Sequence, residues 1–147
     1  MNQGRYMSAV FALLMALSLS LQVRADLLVV VNKSNASPLT EEQIKNIFLG
    51  KSKYFPDGKP AIPVQMHPGS SAYEDFASKV LGKDDSQLRA YWSRLVFTGR
   101  ATPPREVDSE SQILQLVAHN PNLIGYVDTT VADTGIDQVR SLAPLTP

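Results

Sequence analysis

The stretch Phe97–Val127, FTGRATPPREVDSESQILQLVAHNPNLIGYV, decides the fold. Ser109 followed three residues later by Gln112 predicts a capping box, which starts a helix by pairing side chains with free backbone amides. An Asn-Pro pair ends that helix, and Leu123–Val127 is a short apolar run typical of a strand. The predicted helix buries one face, made of Ile113, Leu114, Leu116 and Val117. A helix that leads directly into an apolar strand is typical of an α/β domain.

The first half of the chain continues this alternation. Leu27–Val31 (LLVVV) is rich in β-branched residues, which predicts a strand buried on both faces and therefore a parallel or mixed sheet. Thr40 with Gln43 predicts a second capping box, for a helix that ends at Gly50. Ile62–Met66 predicts another strand, and its Pro63 belongs at a strand start or a sheet edge.

Two further helices and a last strand complete the pattern. The first helix ends at Gly82, and Asp84 or Asp85 caps the second. Their predicted core faces are Tyr73, Phe76, Val80 and Leu81, then Leu88, Tyr91, Trp92, Leu95 and Val96. We interpret GRATPPREV as a loop and Ile136–Leu142 as a strand that closes the sheet edge. The predicted fold is an α/β three-layer sandwich with a mixed, partly parallel sheet.

The N-terminal residues predict export. Arg5 precedes an apolar stretch, Met7–Leu21, that is shorter than the roughly 20 residues of a membrane span. Val23-Arg24-Ala25 then fits a cleavage site. We expect residues 1–25 to be a signal peptide and residues 26–147 to be one domain, periplasmic and not anchored in the membrane after cleavage. The chain has no cysteine, which excludes disulfide and thiolate chemistry.

Charge and motif content exclude several function classes. Without residues 1–25 the chain keeps 12 basic and 14 acidic side chains, whereas nucleic-acid-binding domains show a basic excess. His67 and His119 have no neighbouring carboxylate at metal-site spacing, so we expect neither a metal nor a cofactor. The serines near His67 lack a nucleophile elbow, and we expect no enzyme activity.

Gly69-Ser70-Ser71 is the strongest candidate for a binding site. It precedes a helix, whose first turn leaves amide donors unpaired and carries a positive partial charge that suits an oxyanion. The alternative is that a serine only caps the helix. Arg100 and Arg105 flank a Thr-Pro-Pro loop and are candidates for contact with an anion or a partner, or are simply solvated.

Phe97–Val127, together with Trp92 and the segment LTEEQIKNIFLGK (Leu39–Lys51), resembles the phosphate-type substrate-binding proteins of bacterial ABC importers. The resemblance extends over roughly Leu27–Val131. It implies one lobe of a type II periplasmic binding protein, corresponding to the second of the two lobes in that family. It also identifies Trp92 with a tryptophan that recurs there, which we interpret as a core residue.

The same family has a ligand-binding loop at the position of Gly69-Ser70-Ser71. The family's loop reads approximately Arg-x-Asp-Gly-Ser-Gly-Thr, and its side chains and backbone contact the oxyanion. In this chain Gly69 and Ser70 match the first Gly and the Ser. Ser71 and Ala72 replace the second Gly and the Thr. His67 lies near the position of the Arg, and the Asp is missing. We therefore expect His67, Gly69, Ser70 and Ser71 to contact a ligand weakly, with an affinity no better than roughly millimolar.

Two functions follow from these observations. The first is a periplasmic solute-binding protein for phosphate or a similar small oxyanion, linked to an ABC permease. The second is an interaction module that docks onto a periplasmic sensor, a porin or another envelope protein, or onto itself as a homodimer.

Overall fold

The computed structural model of the chain describes residues 26–132 and 139–141, so the predicted signal peptide lies outside the described residues. Within these ranges five strands form one sheet: β1 Leu27–Asn32, β2 Ile62–Met66, β3 Arg105–Val107, β4 Leu123–Asp128 and β5 Val139–Ser141. Their order across the sheet is β3-β2-β4-β1-β5. β2 runs parallel to β3 and β4, whereas β1 runs antiparallel to β4 and β5. The prediction of a mixed, partly parallel sheet is confirmed.

In the part of the chain that the structure describes, five α-helices accompany the sheet: α1 Glu41–Phe48, α2 Ser71–Phe76, α3 Asp85–Phe97, α4 Glu110–His119 and α5 Thr129–Ala132. A π-helical turn, Ala77–Leu81, continues α2 to Gly82. No helix in the described ranges is long and apolar enough to cross a membrane.

Two consecutive residues of β4 show how the helices cover both faces of the sheet. Gly125 lies against Ile113 of α4, and the next residue, Tyr126, packs on the opposite face against Phe48 of α1 and Phe76 of α2. Neighbouring residues of a strand point to opposite faces, so α4 forms one outer layer and α1 with α2 forms the other. This arrangement confirms the α/β sandwich and explains why β1 is buried on both faces.

The aromatic rings under α1 and α2 form the centre of one layer. The ring centroids of Phe76 and Tyr126 are 4.0 Å apart in a stacked arrangement, and Phe48 meets Phe76 edge-on at 4.7 Å. All three side chains are almost completely buried. Large aromatic rings in such contact contribute to stability beyond their buried area.

The loop interpretation of GRATPPREV was wrong in its last three residues. Arg105, Glu106 and Val107 form β3 and pair with Val64–Met66 of β2. A strand this short has no readable alternation, and only the neighbouring edge of β2 reveals it. Pro63, in contrast, lies at the start of β2 as predicted, where its missing amide proton costs no ladder bond.

The predicted capping boxes had different outcomes. The box at Thr40 and Gln43 is confirmed in both directions. At α4, Ser109 accepts from the amide of Gln112, but the Gln112 side chain accepts from the amide of Asp108 instead of closing the box on Ser109. Asp84 caps α3 and forms a complete box with Gln87.

The predicted core face of α3 was only partly right. Leu88 is buried, Tyr91, Trp92 and Leu95 are half-buried, and Val96 is 51% exposed. The reason is that α3 packs against the end of α1 and its following loop, where the Tyr91 hydroxyl donates to the carbonyl of Leu49 at 2.7 Å. Trp92 is therefore an edge residue of the core, not a central one.

The predicted C-terminal strand is confirmed in part. Val139–Ser141 forms β5 and pairs antiparallel with β1 at the sheet edge. The remaining residues of the predicted strand, 136–138 and 142, lie outside the described residues.

A substitution of Gly125 tests how closely α4 packs on the sheet. A Cβ atom added at Gly125 would collide with Cγ2 of Ile113. We expect Gly125→Ala to lower the free energy of unfolding by about 1–3 kcal/mol, as overpacking does in well-filled cores. Urea denaturation of the purified protein measures this change.

A double-mutant cycle provides the control for that substitution. Ile113→Ala removes the colliding methyl group, so Gly125→Ala should cost clearly less in the Ile113→Ala background than in the wild type. Equal costs in the two backgrounds would show that α4 does not approach Gly125 in this way.

Candidate functional site

The segment His67–Ser71, here called the β2–α2 loop, lies at the carboxyl end of β2. Its start is tied to the sheet because the amide of His67 donates to the carbonyl of Val107 in β3 at 3.1 Å. Gly69 has a φ of +93°, a conformation that side chains other than glycine rarely adopt. In open α/β sheets, the carboxyl ends of parallel strands are where ligands bind.

Ser70 is the N-cap of α2. Its Oγ accepts from the amide of Tyr73 at 3.2 Å and donates to the carbonyl of His67 at 3.0 Å. The single hydroxyl proton is thus used inside the loop. Contact with an oxyanion through this hydroxyl would require the Ser70–His67 bond to break.

Ser71 presents the free donors of the loop. Its side chain is exposed, and neither its hydroxyl nor its amide has a hydrogen-bond partner among residues 26–132 and 139–141. The amides of Gly69 and Ala72 are likewise without a protein acceptor in these ranges. Three amides and one hydroxyl therefore remain available at the start of α2, as expected for the first turn of a helix.

His67 is exposed and turned toward its own loop. Its Nδ1 lies 3.0 Å from the carbonyl oxygen of Pro68. A carbonyl oxygen only accepts, so this bond requires the ring proton on Nδ1 and leaves Nε2 of the neutral ring as an acceptor. In this state His67 has no donor to replace the guanidinium of the family's loop.

Three carboxylates lie at the same edge of the sheet as the β2–α2 loop. Asp108 follows directly after Val107, whose carbonyl holds His67, and Asp128 ends the parallel neighbour β4. The amide of Asp128 donates to Oε1 of Glu110 at 2.5 Å, which places a third carboxylate at this edge. The negative charge of these groups opposes the binding of an anion by the loop amides.

Tyr73, in the first turn of α2, is buried beside a different carboxylate. Its buried hydroxyl donates to Oδ1 of Asp85 at 3.3 Å. Burial, followed by the charge of Asp85 and the hydrogen bond to it, raises the pKa of Tyr73 to about 12, and Glu106 adds to the shift. Arg89, which pairs with Asp85 at 2.9 Å, opposes it.

The two candidate arginines do not join the loop. Arg100 lines a groove with Ile62 and Pro63, at the amino end of β2. Arg105 lies in β3 opposite Val64 and lines a different groove with Leu116 and His119. Among residues 26–132 and 139–141, no three His, Asp or Glu side chains come together in a way that could hold a metal ion.

Sequence reasoning missed two buried polar side chains that tie the sheet to its neighbours. The buried Tyr126 hydroxyl accepts from the amide of Met66 at 3.3 Å, directly before the loop. At the opposite end of the sheet, Asn32 is buried at the end of β1 and donates to the carbonyls of Val117 and Ala118 in the last turn of α4. A tyrosine in an apolar strand and an asparagine at a strand end give no periodic signal.

The sequence matches no family model and no curated protein. Solved structures share the fold. An ABC-type phosphate transport receptor from Vibrio cholerae superposes with a TM-score of 0.62 at 22% identity, over 80% of this chain and 45% of the receptor. PstS from Borrelia burgdorferi gives 0.60 at 14% identity, over 84% of this chain and 49% of that one.

A third structure was solved with phosphate bound. It is a phosphate ABC transporter substrate-binding protein from Clostridium perfringens, with a TM-score of 0.56 at 20% identity, over 80% of this chain and 53% of the other. The chain thus spans about half the length of these binding proteins. The resemblance found in the sequence is confirmed at the level of the fold.

The raised pKa of Tyr73 gives a pH-dependent stability. An unfolded tyrosine titrates near pH 10, so above that pH the unfolded chain binds fewer protons than the folded one. The contribution of Tyr73 to the free energy of unfolding is fully present below about pH 10 and is lost as the pH rises from about 10 to about 12. Tyr73→Phe should lose less stability than the wild type between pH 9 and about 11.5 in urea denaturation.

Tyr54→Phe, at an exposed phenol, is the matched control for Tyr73→Phe. It should follow the wild-type curve. If Tyr73→Phe also follows that curve, Tyr73 does not keep its proton in the folded protein as described.

Proposed function

We propose that this protein is a periplasmic binding protein that takes a small oxyanion, phosphate first, at the β2–α2 loop. One observation carries the proposal: the amides of Gly69, Ser71 and Ala72 and the Ser71 hydroxyl are free donors at one helix start. The fold shared with phosphate receptors supports it. In this proposal residues 1–25 direct export, and delivery to an ABC permease follows capture.

The number of free hydrogen-bond donors in the β2–α2 loop sets the expected affinity for an oxyanion. Each neutral hydrogen bond contributes about 1 kcal/mol net, and the helix start adds about 0.3–1 kcal/mol for an anion at an exposed position. The carboxylates of Asp108, Glu110 and Asp128 act against this gain. We therefore expect dissociation constants of about 1 mM or weaker for the chain alone.

Tighter binding requires a cation that the loop does not contain. A second protein, or a second copy of the chain, could bring an arginine or lysine over the exposed loop and pair with both the oxyanion and the nearby carboxylates. A homodimer or an importer subunit are the two forms of this arrangement that we propose.

The second candidate function is docking of an envelope protein, such as a sensor or a porin, at this same edge. Two features of the edge favour it. The Ser70 hydroxyl already donates its proton to the His67 carbonyl, and carboxylates lie at the same edge as the loop. A basic partner surface would be attracted to the edge even without a bound oxyanion.

A titration followed by NMR tests the first candidate. Sodium phosphate, added to the exported protein at constant ionic strength, should shift the amide signals of Gly69, Ser71 and Ala72, with a dissociation constant of about 1 mM. Ser71→Ala should weaken binding roughly fivefold, because it removes one donor and leaves the cap at Ser70 intact. Sodium sulfate and acetate provide the comparison of ligands.

Charge variants sharpen this test. Asp108→Asn should strengthen phosphate binding about two- to threefold, because it removes a carboxylate beside the loop. Asp57→Asn, in the turn before the opposite end of β2, makes the same change and should have no effect. No amide shifts up to about 20 mM phosphate, far above the expected constant, would reject oxyanion binding and leave protein docking as the function.

A further inference from the structure

Large apolar side chains are exposed near the amino end of β2, away from the β2–α2 loop. In the described ranges, four such side chains stand out: Tyr54 at 60%, Ile62 at 46%, Val96 at 51% and Phe97 at 93% exposure. Ile62 and Val96 line one groove of about 430 Å³. Tyr54 lines an adjoining groove that shares Ile47 and Ser52 with the first. Phe97 directly follows Val96 in α3. We call the first groove, with Tyr54 of the adjoining groove and Phe97, the apolar groove.

The charges at the apolar groove all have one sign. Lys53 and Arg100 line it, and no carboxylate does. Neither cation forms an ion pair with any residue in 26–132 or 139–141, whereas Lys59, Lys79 and Arg89 each pair with an aspartate nearby in sequence. The groove therefore offers two unneutralised cations beside apolar walls, opposite to the acidic edge at the other end of β2.

The floor of the apolar groove is tightly packed. Gly50 has a φ of +67°, and a Cβ atom there would lie 3.0 Å from Cβ of Ala101 and 3.2 Å from the Trp92 ring. Gly50 and Ala101 both line the groove, so Trp92 supports it from behind. A surface that is already ordered binds with less loss of conformational entropy than one that must fold around its ligand.

We propose that the apolar groove binds a segment of another protein that carries an apolar side chain flanked by carboxylates. The apolar walls receive the side chain, and Lys53 and Arg100 pair with the carboxylates. The adjoining groove lined by Tyr54 continues the first one through Ile47 and Ser52, and two joined grooves fit an extended polypeptide better than a small molecule. Charge complementarity to Lys53 and Arg100 selects an acidic partner.

A displayed library of random 12-residue peptides, selected on the exported protein, tests the proposal. Enriched peptides should contain aromatic or aliphatic residues next to Asp or Glu, and sodium chloride should weaken their binding. Binding of the synthesised peptides is then measured by the fluorescence of Trp92, the chain's only tryptophan, which contacts the groove floor.

Two variants and one control locate the binding surface. The double variant Lys53→Glu with Arg100→Glu, and the single variant Phe97→Ser, should each weaken peptide binding about tenfold or more. All three side chains are exposed, so the fold should persist, which circular dichroism checks. Arg105→Glu makes, on the exposed β3 edge, the same exchange as Arg100→Glu alone, and it should leave the affinity unchanged.

Three results would overturn the proposal. They are the absence of enriched peptides, enrichment of basic peptides, and affinities that the groove variants do not change. Sedimentation of the protein alone distinguishes one further occupant: a dimer that dissociates in Phe97→Ser would assign the groove to a second copy of the chain and reject the acidic partner.

Discussion

The hydrogen bond from the Met66 amide to the Tyr126 hydroxyl is the constraint on which this end of the molecule depends. β2 and β4 are in register only at Ile62 and Pro63, so the last amide of β2 needs another acceptor. Tyr126 provides it from β4 while its ring stacks on Phe76. One buried side chain therefore joins the sheet, α2 and the origin of the β2–α2 loop. Burial also raises the pKa of Tyr126, so its hydroxyl keeps its proton.

The two ends of β2 have opposite electrostatic character. At the carboxyl end, the free amides of the helix start share one edge of the sheet with Asp108, Glu110 and Asp128, so attraction from the dipole and repulsion from the carboxylates act on the same anion. At the amino end, Lys53 and Arg100 stand beside apolar side chains without a carboxylate among the lining residues. A small anion thus meets directed donors without a cation at one end, and cations beside apolar walls at the other.

Elements that carry their own local signal could be predicted from the sequence. The capping box at Thr40 and the apolar run of β1 depend on neighbouring residues, and both are present as predicted. β3 could not be predicted, because three residues become a strand only through the free edge of β2. For the site, a helix cap near Ser70 was foreseeable, but the use of its proton by the His67 carbonyl depends on the exact backbone path of the Pro-Gly turn between them. The position of the carboxylates at this edge depends on contacts between distant segments.

The separation of the two surfaces limits how they can act together. The β2–α2 loop follows Met66 and the apolar groove includes Ile62, so the length of β2 lies between them, roughly 13–17 Å for five residues. A partner seated on the groove need not cover the loop, and both surfaces can be occupied at once. Coupling between them would have to pass through β2 and the Tyr126 contact, both buried and closely packed. Because a closely packed core resists small displacements, we expect the β2–α2 loop and the apolar groove to bind independently.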